Sequence, residues 1–109
     1  MPDYYDELET RSAEEREADQ FAALSAQLAE ALENAPGLAA HLGPVDPEAV
    51  RDRAALAALP VLRKAELAER QRAMPPFGGL TTRAATTFPH IFQSPGPIYE
   101  PGMDTPDWW

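Results

Sequence analysis

The chain has 109 residues, a formal net charge of −9, 12 prolines and no cysteine, which bounds it to one small domain and excludes disulfide staples, thiolate metal sites and cysteine nucleophiles. Residues 1–48 hold 12 acids against Arg11 and Arg16, while residues 49–109 hold 6 acids and 7 bases; an acidic surface of this kind repels phosphate backbones and anionic lipid, which argues against nucleic-acid and membrane partners. Leu, Ile, Val and Phe supply only 20 residues and Ala another 20, so a thin core is expected.

The opening segment "MPDYYDELET" is acidic from its third residue and has no apolar run. No later stretch approaches the roughly 18 apolar residues of a membrane span. With the absence of cysteine, these features lead to the expectation of a cytoplasmic setting. Tyr4 and Tyr5 are expected to pack across the first helix, with an aromatic ligand surface as the alternative.

Residues 12–35 are expected to form the principal helix. "SAEE" supplies a capping box in which Ser12 accepts from the Glu15 N–H while Glu15 reaches back. Glu14, Glu15 and Glu17 suit the positive end of the helix dipole. Phe21, Leu24, Leu28 and Leu32 then follow at spacings that place them within about 80° on one helix face, a stripe that must be covered.

Pro36 and Gly37 end this helix, and "GLAAHLG" allows one or two further turns before Gly43 and Pro44. "DPEAV" predicts a new helix with Asp46 as N-cap and Pro47 in the first position, where its missing N–H is not needed. "DRAALAALP" closes at Pro60. "VLRKAELAERQRA" predicts a short amphipathic helix with a basic face of Arg63, Lys64, Arg70 and Arg72, ended by Met74, Pro75 and Pro76.

Composition changes at Pro75. The last 35 residues carry 7 prolines and 4 glycines, so turns are expected, with room for one extended segment around His90 to Gln93. The expected fold is therefore mainly α: a small helical N-terminal subdomain over residues 1–74, then an irregular Pro/Gly-rich segment over residues 75–109 with at most one short strand. The terminal Trp108 and Trp109 suggest a larger fold in which they would be anchored.

Few residues carry obvious chemistry. His41 and His90 have no His, Asp or Glu at a metal-ligand spacing on the same helix, and no metal site is expected. The paired carboxylates of "YYDELE" and "AEERE" look like an exposed acidic face, whereas acid–base catalysis needs two groups in different environments. Ser94 lacks the flanking glycines of a serine-hydrolase elbow. The Arg63, Lys64 pair is expected to form salt bridges to the acidic N-terminal half. No catalytic residue is expected.

Three segments taken together carry a resemblance: "YYDELETRSAEER", "LPVLRKAEL", and "PPFGGL" followed by "IFQSPGPIYEP". In order and approximate spacing they resemble the N-terminal region of phenylacetate-CoA ligase-like proteins, members of the adenylate-forming, AMP-binding superfamily. "LPVLRK-x-EL" is similar to that family's "LP-x-T-x-K-x-DL". The resemblance implies a chain that is the N-terminal portion of an acid–thiol ligase, inactive alone, in which the remainder of an adenylation domain uses ATP and Mg to activate an aryl or arylacetic acid and passes it to coenzyme A.

The family's phosphate loop reads approximately "SSGTTGKP". Laid on it, Ser94 and Gly96 match and are the candidate nucleotide-binding residues, as does Pro101. Pro97 and Ile98 replace the hydroxyl donors, Tyr99 replaces the second glycine and Glu100 replaces the lysine. A hydrogen bond to a charged group contributes about 1.5–3 kcal/mol, so phosphate affinity is expected to be weakened or lost, and no cofactor is expected to bind this chain alone. The alternative function is a free-standing helical module that binds another protein chain without catalysis.

Overall fold

The computed structural model describes residues 3–104; the expectation concerning Trp108 and Trp109 lies outside them. The described residues form four α-helices and a two-stranded antiparallel sheet near the C-terminal end, joined by three short 3-10 turns. This is the mainly helical fold expected, with one more strand.

Helix α1 (Ala13–Asn34) starts where its cap dictates. The Glu15 N–H donates to Ser12 Oγ at 3.1 Å, and the Ser12 N–H donates to Glu15 Oε2 at 2.9 Å. Helix α2 (Pro36–Leu42) turns away at Ala35, which is completely buried at the joint. Its entry brings two backbones together. The Gly37 N–H donates to the Gly79 carbonyl at 2.8 Å, and a Cβ at Gly37 would lie 2.1 Å from the Gly78 carbonyl oxygen, so no larger residue fits without movement.

The expected helix at "DPEAV" forms only a 3-10 turn over Pro47–Ala49. Asp46 caps it by accepting from the Glu48 N–H at 3.0 Å, but the chain leaves the helical region at Val50, which is buried. Burial of Val50 thus ends what local propensity began. Helix α3 (Arg53–Ala57) is capped by Asp52, whose Oδ1 accepts from the Ala55 N–H at 2.8 Å.

Helix α4 (Lys64–Ala73) leads into the cis Pro75–Pro76 peptide and the Phe77–Gly79 turn. Phe77 is buried and meets the Phe88 ring edge-on, with centroids 5.7 Å apart. Strands β1 (His90–Ser94) and β2 (Ile98–Gly102) pair from His90 opposite Gly102 to Ser94 opposite Ile98. Helix α4 packs on β2, so the segments on either side of the composition change at residue 75 touch.

The core is thin, as composition implied. Leu28, Ala31, Ala35, Val50, Phe77 and Ile98 are its buried apolar residues, and no large side chain is fully enclosed. The accessible surface is 8146 Å², against about 5,900 Å² for a compact monomer of 11.9 kDa. The radius of gyration is 16.1 Å, against about 13 Å for a compact chain of this length. Among the described residues no helix is long and apolar enough to cross a membrane.

Candidate functional site

Ser94 closes β1 opposite Ile98, so the candidate loop is the hairpin tip Pro95, Gly96, Pro97. Gly96 has φ 152°, and a Cβ there would lie 3.0 Å from Ile98 Cγ1, which explains the glycine by local geometry alone. The Gly96–Pro97 peptide is cis. Of the three tip residues only Gly96 has a backbone N–H, because proline has none.

The loop runs straight into β2 and does not open a helix, whose N-terminus is what a phosphate loop supplies. Glu100, in the position where the resemblance would place a cation, is exposed on β2. These residues do not fit a triphosphate, which is held by converging N–H groups and positive charge. The structure keeps Ser94 and Gly96 within two residues of each other, but their arrangement is that of a tight hairpin.

The remaining candidates disperse. His41 Nε2 lies 3.3 Å from the Pro60 carbonyl oxygen, and the His90 ring lies beside Phe92 at a centroid distance of 6.3 Å. Among the described residues, no cluster of three His, Asp or Glu side chains gathers to hold a metal. Tyr5 is 80% exposed and Tyr4 45%, so the expected packing across α1 is not how they are placed. Tyr5 instead lines a surface with Leu8, Arg11 and Arg16 of α1, where Glu9 accepts the Tyr5 N–H at 2.6 Å.

The salt bridges expected of Arg63 and Lys64 do not form among the described residues. The ion pairs there join Arg11 to Asp19 and Arg53 to Glu17. Both pairs lie on or beside α1; Arg63 instead provides the N-cap backbone, its N–H donating to Glu66 Oε2 at 2.9 Å. Of the expected basic face, Arg70 reaches the Gly37 carbonyl at 3.3 Å.

Two features were not foreseen. One is an open groove of about 660 Å³ between α1 and residues 47–51, lined by Ala22, Ser25, Ala26, Ala29, Pro47 and Arg51. Ser25 Oγ donates to the Pro47 carbonyl at 2.8 Å and closes its floor. The other is Gln71, which is 5% exposed. Its Nε2 donates to the Tyr99 carbonyl at 2.8 Å and its Oε1 accepts from the Tyr99 N–H at 2.9 Å. A glutamine within "AERQRA" reads as surface, and no periodicity singles it out.

The predicted stripe of α1 is partly covered: Leu28 is buried, and Phe21, Leu24 and Leu32 are half-buried. Leu56 beside them is 43% exposed. The glutamate of the capping box, Glu15, has a shifted carboxyl. Its carboxyl is held below the ordinary value near 4.5, first by the Ser12 backbone N–H and then by the Ser12 hydroxyl. That is structural chemistry. Comparison with family models, curated proteins and solved structures returns no match.

Proposed function

We propose that the chain is the N-terminal portion of a phenylacetate-CoA ligase-like acid–thiol ligase, a helical module that lies against an adenylation body and carries no chemistry itself. The observation that carries this reading is surface: about 2,200 Å² more than a compact monomer of this mass exposes. An excess of this size matches what obligate interfaces hide. Large apolar side chains contribute to it, with Val61 77%, Leu8 58% and Met74 51% exposed.

The second and third of the segments that carry the resemblance also support it by lying together. "LPVLRKAEL" leads into α4, "PPFGGL" forms the turn that meets Gly37, and "IFQSPGPIYEP" forms the hairpin that Gln71 holds against α4. ATP, Mg and coenzyme A then belong to the body, as do the acid substrate and the transfer step. The cytoplasm, where those cofactors are plentiful, is the proposed setting.

The experiment compares this chain with one continued through the downstream coding frame, both assayed for ATP–pyrophosphate exchange with aryl and arylacetic acids. The short chain is expected to be silent and the continued one active. A coding frame that stops at Trp109 with no adenylation segment following would sink the proposal. The groove beside α1 favours a second reading, a free-standing module that binds another protein chain; that reading predicts cooperative unfolding of the isolated chain and a stable complex without nucleotide.

A further inference from the structure

The two edges of the hairpin are finished differently. On β2 the Gln71 carboxamide pairs with both backbone polar groups of Tyr99, taking the place of one residue of a neighbouring strand. Tyr99 therefore points its N–H and C=O away from β1. Antiparallel pairs alternate between those that exchange hydrogen bonds and those that do not. Ser94 with Ile98, Phe92 with Glu100 and His90 with Gly102 are thus the bonded pairs, while Ile91 and Gln93, opposite Pro101 and Tyr99, aim their backbone groups at the open side of β1. Pro101 gives an independent check, because a residue with no N–H belongs at an outward position.

The open edge of β1 lacks the usual protection. Sheet edges are blunted by charge, proline or a bulge, and β2 carries Glu100 and Pro101. "HIFQS" carries neither. Ile91 is 54% exposed. A hairpin of two strands is marginal by itself and is stabilised by further strands or by packing; here α4 packs on β2.

We propose that β1 is a self-association edge, pairing antiparallel with β1 of a second copy about a two-fold axis at Phe92 to make a four-stranded sheet. The strand is its own complement in that register. Ile91 of each copy stands opposite Gln93 of the other, and these are the residues whose N–H and C=O face outward, so both pairs exchange two hydrogen bonds. Charge favours this occupant, because the contact joins near-neutral halves: residues 49–109 hold 7 bases and 6 acids, against 2 bases and 12 acids in residues 1–48. The proposal goes beyond the ligase reading and does not depend on it.

The test is sedimentation of the purified 109-residue chain with amide exchange read residue by residue, up to about 1 mM, the concentration at which even weak association is filled. The expected result is a dimer in which protection of the Ile91 and Gln93 amides rises with protein concentration. Gln93→Pro removes an N–H that β1 and β2 do not share, and Ile91→Lys adds the missing edge charge; each is expected to weaken the dimer by about tenfold or more while leaving the helical circular dichroism unchanged. A chain monomeric throughout, or a dimer indifferent to both variants, would overturn the proposal, as would protection of these amides that appears only when a different protein is added.

Discussion

The helices before residue 60 and the block formed by α4, the Phe77 turn and the hairpin are held together by different means. The first region is rich in regular structure and in local bonds: Ser12, Asp46 and Asp52 each cap a helix or turn within three residues of themselves. Its tertiary cover is sparse, and α1 meets only α2 and the 47–49 turn appreciably. The second region has less regular structure but reaches across the sequence, with Gln71 bound to Tyr99 and Phe77 against Phe88. Local codes make helices; distant contacts decide which parts hold together without help.

The largest expected effect falls on the second region. Phe77→Ala removes a buried ring and its edge-on partner, a change that costs about 3–5 kcal/mol in a typical core, and thermal unfolding should lose its cooperative component from residues 64–102. If the melting midpoint hardly moved, the Phe77 cluster would not be what holds that block. Next is Gln71→Ala, which leaves both Tyr99 backbone groups without their partner at a cost of about 1–3 kcal/mol. It should release the hairpin from α4 and speed exchange of the Tyr99 amide while α1 is untouched.

The smallest effects fall on the first region, and they sharpen the contrast because they stay local. Ser12→Ala is expected to weaken α1 by about 1 kcal/mol, seen as fraying of its first turn, with no change in the hairpin. Acid should mimic it. The Glu15 carboxyl is lowered in the folded chain, so its contribution is present above the ordinary value near 4.5 and is lost as pH falls through the lowered folded value. Titration of the Glu15 side chain alongside the Ser12 amide checks this; a Ser12 amide whose exposure ignores that transition would remove the capping box from the account.

This division also explains what could be read in the sequence. The ends of α1, the break at Pro36 and the cap at Asp46 were legible because each signal and its consequence lie within one turn. Strand β2 was not, because Pro97, Pro101 and Gly102 look like loop chemistry until pairing with β1 shows that Pro101 needs no N–H. Gln71 was invisible for the same reason: its role depends on Tyr99, 28 residues away. At the candidate loop, the poor match of Pro95, Pro97 and Glu100 to a phosphate cradle was plain from residue types, but the hairpin that gives Gly96 its own purpose was not. The missing salt bridges of Arg63 and Lys64 show that net charge by halves does not say which side chains meet.

Amide hydrogen exchange along the isolated chain tests most directly whether the helical face of this module awaits a larger body. The N-terminal half of α1, residues 13–24, should exchange far faster than Gln71, Phe77 and Ile98, because one face of that helix has little against it. Protection in α1 equal to that at Ile98 would contradict the account, since a helix already that secure has no need of further cover.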